Sequence, residues 1–182
     1  MARAGGFTLI EMMIVVVIIG VATILGIPSY RAWMQNTQIY NAAESAENGL
    51  QKAKAQAVKR NANVEFVLGT NPAWLIQLPG NTVPCPIPSG TASTTLLECS
   101  TNEGAKNVVA VATPAGATTI TFNSLGGEVQ PFNQNNSVPL TQIDFNSAVL
   151  TGAHNLRITI GIGGITRMCD PNLVTGSSPR AC

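Results

Sequence analysis

The chain has 182 residues, 45% of them hydrophobic and only 10% charged, with 10 Lys plus Arg against 9 Asp plus Glu. That length allows one globular domain with an appendage, and a net charge of +1 excludes a bulk polycation that coats nucleic acid by charge alone. The charged fraction is far below the ~25% of ordinary soluble domains, while the apolar content excludes a disordered chain.

The apolar residues are concentrated at the start. From Phe7 to Ile27 the chain reads FTLIEMMIVVVIIGVATILGI, with Glu11 as its single charge. As a helix this stretch rises roughly 30 Å, about the thickness of a bilayer core. Arg3 and the initiator amine precede it, and positive charge before a first span keeps that end in the cytoplasm. A cleaved secretory signal needs a shorter apolar core and a small-x-small site. The run here is longer and leads into Pro28-Ser29-Tyr30-Arg31 without such a site, so a retained membrane helix is the expectation.

Glu11 has two readings. At the edge of the span it reaches headgroups, or it meets a cation inside a protein bundle. A cut between Gly6 and Phe7 would create that cation, because Phe7 would carry a free α-amine one helical turn from Glu11.

The string Gly5-Gly6-Phe7-Thr8-Leu9-Ile10-Glu11 before a long apolar run resembles the class III signal of type IV prepilins and type II secretion pseudopilins. The resemblance implies that prepilin peptidase cuts after Gly6 and methylates the Phe7 amine. It implies too that Glu11 pairs with an N-terminal amine during filament assembly. Pro28 falls where pilins carry a helix-kinking proline, which loses one backbone bond and crowds the preceding turn.

Beyond the span, Tyr30 to Arg60 holds no proline and one glycine, Gly49. Ile39, Ala43, Ala46, Leu50, Ala53 and Ala57 recur at helical spacing and predict one apolar face for docking on a sheet. Lys52 to Asn61, ending in Val-Lys-Arg-Asn, resembles a segment of the GspH/FimT group of minor pilins and pseudopilins. By itself the basic cluster reads as a solvated helix face.

The second half reads as β-structure. Val64, Phe66 and Leu68 alternate with outward positions, Gly69 to Pro72 forms a turn, and Trp74, Ile76 and Leu78 complete a hairpin. Asn81 to Gly90, with Pro84, Pro86 and Pro88, is a loop. Further strands are expected at 94–99, 107–112, 118–123, 142–146 and 155–162, and a short one after Gly163-Gly164. Consecutive strands without intervening helices point to antiparallel sheet. Thr121 to Gly126, a Phe shortly before a glycine turn, also resembles the GspH/FimT head.

The cysteines are Cys85, Cys99, Cys169 and Cys182, with no Cys-x-x-Cys and one His, so neither a metal site nor a redox motif is expected. Outside the cytoplasm four cysteines imply two disulfides, in any of three connectivities. The sequential one, Cys85–Cys99 with Cys169–Cys182, closes two loops of similar size and is the one expected. Each bond would stabilise by about 3 kcal/mol. Pilins commonly close such a C-terminal loop.

No catalytic constellation emerges, and neither an enzyme nor a cofactor is expected. His154 stands alone in a turn, Asp144 lies mid-strand and Asp170 follows Cys169. Gly161 to Gly164 lies between strands rather than before a helix, which argues against a phosphate cradle. Nucleic-acid binding is the minority reading. Some FimT-type minor pilins bind DNA, and the resemblance places that activity in a C-terminal Gly-Arg-x-Arg motif on the last hairpin. Here the matching residues are Gly164-Ile165-Thr166-Arg167, so one cation is replaced by Ile165. Arg157, Arg167 and Arg180 would have to make a small patch, each phosphate contact adding roughly 0.9 to the salt slope.

The expected chain is therefore an α+β pilin-like subunit. A leader covers 1–6, a transmembrane and filament-core helix 7–29, an amphipathic extension 30–61 and a β-rich periplasmic head 62–182. The partners implied are prepilin peptidase, an inner-membrane assembly platform, and the other minor pilins and the major pilin of a type IV pilus. Pseudopilin H of type II secretion and a DNA-binding minor pilin are the alternatives. The Cys-Asp-Pro…Pro-Arg-Ala-Cys tail tilts the choice towards the pilus.

Overall fold

The computed structural model describes residues 6, 8–70, 72–80, 85, 95–101, 103–176 and 178–182, with only the backbone described at 25 and 26. It divides into two compact units, residues 1–34 and 35–182. One helix, α1, runs Leu9–Arg60, with Pro28 inside it. Its end is defined by Asn61, whose φ of 50° is left-handed. Ala62 N donates to Ala57 O and Asn61 N to Val58 O, which closes the last turn as a Schellman motif. The Val-Lys-Arg-Asn segment thus ends in a residue that tolerates the stop conformation.

The strands are β1 Val64–Leu68, β2 Trp74–Gln77, β3 Leu96–Ser100, β4 Val108–Thr113, β5 Thr119–Phe122, β6 Gln142–Ser147, β7 Leu156–Ile160 and β8 Thr166–Cys169. A short 3-10 turn spans Glu103–Ala105. Every pairing between strands is antiparallel. The strands form two sheets, ordered β3-β2-β1-β5 and β4-β6-β7-β8. The proline-containing loop around residues 81–90, apart from Cys85, and the start of the strand expected at 94 lie outside the described residues.

The unit that contains the sheets takes in α1 from Gln35 onward. Ile39, Ala43, Ala46, Leu50, Ala53 and Ala57 are all fully buried, as is Ala42. They share one core with Phe66, Ile76, Ile120 and Phe122 of the first sheet and Ile143, Phe145 and Ile158 of the second. Small side chains on the helix allow close approach of the large ones on the sheets. Gly49 marks the tightest point, because an added Cβ would lie 2.9 Å from the Phe66 ring and 3.0 Å from Trp74. Those two rings stack at 5.9 Å, and Trp74 Nε1 donates to Ser45 Oγ at 3.0 Å.

One sequence expectation fails here. Alternation along 64–68 places Glu65 outward, yet it is only 3% exposed. It lies between Gln77 and Thr121 in register, and both are buried as well, so this face of the sheet is not open to water.

Candidate functional site

The N-terminal unit begins with a local hydrogen-bonded pair. Glu11 N donates to Thr8 Oγ1 at 3.3 Å, and Thr8 N donates to a Glu11 carboxylate oxygen at 3.5 Å. Thr8 is thus the N-cap and Glu11 the third helical residue of a capping box, which satisfies two donors that the first turn leaves open. The Thr-x-x-Glu pattern was present in the sequence. A carboxylate here also complements the positive end of the helix dipole. Gly6 is exposed, with open space around it. Phe7, the other residue of the expected cleavage and methylation site, lies outside the described residues.

The apolar span that follows has no cover of its own. Leu9 is 80% exposed and Ile24 73%, and residues between them from Ile10 to Val21 are exposed throughout. Among the described residues, α1 is the one helix long and apolar enough to cross a membrane. Apolar surface on this scale is stable only in lipid or against other apolar helices.

The head contributes a separate set of residues. Cys85 is bonded to Cys99 and Cys169 to Cys182. The second bond closes a loop that is also held by the backbone: Asp170 N donates to Arg180 O at 2.7 Å and Cys182 N to Asp170 O at 3.4 Å. Arg167 donates through Nη2 to the carbonyls of Pro179 and Ala181. Arg157 Nε lies 2.6 Å from Asp144 Oδ1 in a partly buried ion pair, and Gln142 Nε2 donates to the other Asp144 oxygen. Arg180 is exposed and lines a cavity of about 310 Å³ with Tyr40, Leu156, Met168 and Asp170. The three arginines considered for phosphate contact are therefore not equivalent. Two hold parts of the head together, and Arg180 alone faces outward without such a bond among the described residues.

His154 is exposed and uses its backbone N–H to bind Asn36 Oδ1. Among the described residues no group of three His, Cys, Asp or Glu side chains converges to hold a metal ion. The perturbed acids are elsewhere. Burial raises the carboxyl of Glu65, partly offset by its hydrogen bond from Gln77. Burial likewise raises Glu128, offset by Gln130. Glu47 is raised by burial and then by neighbouring Glu44. Glu65 and Glu128 are buried and Glu47 is half-buried beside Glu44, and the three lie apart on β1, the β5–β6 connection and α1.

Comparison with known proteins matches this arrangement. Residues 42–167 match the family model of the type II transport protein GspH, and residues 1–27 match the prokaryotic N-terminal methylation motif. The chain belongs to the GspH family. It is a minor pilin or pseudopilin of the GspH/FimT group, a family of structural subunits that assemble with other pilins in a filament. The type IV minor pilin FimU of Pseudomonas aeruginosa has the same fold, at 17% identity and a TM-score of 0.53, over 82% of this chain and 98% of that one. No curated protein matches the chain. This GspH-family chain carries an apolar helix start that lies within the methylation-motif match, and a β-rich head packed on the second half of the same helix.

Proposed function

We propose that the chain is a structural subunit that primes or caps a type IV pilus. The observation that carries this reading is the uncovered apolar helix that begins at Leu9, with Glu11 in its first turn. In the proposed sequence of events the leader 1–6 and Arg3 hold the precursor in the inner membrane, with the head in the periplasm. Prepilin peptidase cuts after Gly6 and methylates the amine of Phe7. The assembly platform then moves the helix from lipid into a filament of apolar helices. There Glu11 gains a cation, because a carboxylate in an apolar bundle costs several kcal/mol unless it is paired. Pro28, inside α1, loses one backbone bond and gives the helix a place to bend.

A second reading, pseudopilin H of the type II secretion system, is favoured by the description of the matching family model. The two systems use the same parts, so a deletion strain separates them. Loss of surface pili and twitching with normal enzyme secretion supports the pilus. Retained pili with loss of secreted enzymes supports the pseudopilus. DNA reception is the weaker alternative, because Arg157 and Arg167 already have partners within the head.

A further inference from the structure

Two loops of the head meet the turn of α1 with which the head unit begins. Gln35 Nε2 donates to Asn107 O at 3.0 Å, and His154 N donates to Asn36 Oδ1 at 3.0 Å. Ala148 N also donates to Asn107 O, which ties the loop before β4 to the β6–β7 loop. A cleft of about 220 Å³ extends this rim, joining Asn36, Tyr40 and His154 to Asp170 and Arg180. The rim therefore surrounds the point where the chain enters the head.

Chain length limits how far this rim can be from a bilayer. Tyr30 and Trp33 are exposed, with rings 5.9 Å apart, and are the residue types that settle at headgroup level. Asn36 follows Trp33 by three residues, so at most about 11 Å of chain separates them, however the connection bends. The surface of the rim fits that neighbour. Val149 is 66% exposed in the β6–β7 turn. The amides of Val149 and Leu150 donate to Ser147 Oγ, so the turn can leave water without orphaned donors. Lys106 and Arg180 are exposed, and neither has an ion-pair partner among the described residues. Of the nearby acids, Glu103 is exposed, whereas Asp170 is 6% exposed and accepts from Asn172 N through Oδ1. Cations beside an exposed aliphatic turn suit phosphates lying over an acyl layer.

We propose that this rim docks on anionic phospholipid headgroups of the membrane that the chain itself spans. Arg180 and Lys106 meet phosphates, and Val149 reaches the acyl boundary. The inference rests on the reading of 7–29 as a membrane span before assembly. Docking keeps the head at the lipid surface until the helix leaves lipid for the filament, when the rim is released with it. Every copy presents the same rim to the same bilayer, which agrees with one membrane and one filament.

The test uses the full chain in nanodiscs of phosphatidylethanolamine and phosphatidylglycerol. A fluorophore on Val149→Cys reports contact with a quencher carried on the lipid headgroup. The native cysteines are paired and do not take the label. Leu125→Cys is the control. It is 90% exposed, but the adjoining Gly126 lies against Lys54 and Val58, about 30 Å along α1 from Gln35. Val17→Cys, with a quencher at the end of the acyl chain, reports insertion of the span. Quenching at Val149 should exceed that at Leu125. Arg180→Ala should lower it about fivefold, the effect of one cation at an anionic surface, without moving the thermal midpoint. Equal quenching at Val149 and Leu125, with Val17 quenched, would overturn the docking and leave the span reading intact. An unquenched Val17 would overturn both. Quenching at Val149 that ignores Arg180→Ala combined with Lys106→Ala, and the exchange of phosphatidylglycerol for phosphatidylcholine, would overturn the headgroup as partner.

Discussion

Arg167 donates to Ala181 O at 2.9 Å and to Pro179 O at 3.3 Å, so one guanidinium ties the last strand to the end of the chain. The contact works alongside the Cys169–Cys182 bond and the backbone bonds of Asp170. The residue occupies the place where the family resemblance would offer a cation to DNA. Its geometry suits the planar fork of arginine holding two nearby carbonyls.

Arg167→Ala should therefore lower the stability of the head. The loss is about 1 kcal/mol, the scale of a net hydrogen bond near the surface. Thermal denaturation and the rate of proteolysis between residues 170 and 182 read it directly. A side chain serving only as a phosphate contact would leave both unchanged, and its removal would reduce the salt slope of DNA binding by about 0.9.

Gly49→Ala sets two effects against each other. Replacing a helical glycine by alanine gains up to about 1 kcal/mol of helix propensity. The new methyl would lie 2.9 Å from the Phe66 ring and 3.0 Å from Trp74, which are stacked on each other and have little room to retreat. Overpacking of this kind costs ~1–3 kcal/mol, so a net loss of about 1 kcal/mol is expected by chemical denaturation. A stabilised variant would show that the two rings shift freely.

The helix and most strands were legible because their signal is local. The stripe from Ile39 to Ala57 has helical spacing, and each of its residues is fully buried. The alternation at Val64, Phe66 and Leu68 likewise matches β1. The partition into two sheets was not legible. β5 pairs with β1 across more than fifty residues of chain, and no local pattern encodes that choice. Glu65 was misread for the same reason: alternation assigns a residue to a face, but only tertiary packing decides whether that face meets water. At the candidate sites, residue types were legible and their partners were not. Arg157 and Arg167 looked like free cations until Asp144 and the tail carbonyls stood beside them.

Two buried acids and one half-buried acid give the head a pH dependence. Glu65, Glu128 and Glu47 all have carboxyls raised above their ordinary value of 4.5, chiefly by burial. The unfolded chain releases these protons first as pH rises. Their contribution to stability is therefore full below pH 4.5 and is lost as pH climbs through the raised values. Glu65→Gln keeps a neutral side chain of the same shape beside Gln77. Its thermal midpoint should exceed that of the unmodified chain at pH 7, and the difference should close below pH 4.5. An equal difference at both pH values would remove the titration of Glu65 as the cause.

Thr8 and Glu11 share the first turn of α1, and their variants separate two roles of the same carboxylate. Thr8→Ala removes the cap, which costs about 1 kcal/mol of local helix stability, but leaves the charge of Glu11 in place. Glu11→Ala removes the cap contact and the charge together. If the charge serves assembly, both variants are processed, the first still enters filaments and the second does not. Immunoblots of sheared surface filaments against whole cells, with a gel shift marking leader removal, give the two readouts. Comparable incorporation of both variants would reduce Glu11 to a capping residue. The apolar helix would then enter the filament without a charge to satisfy.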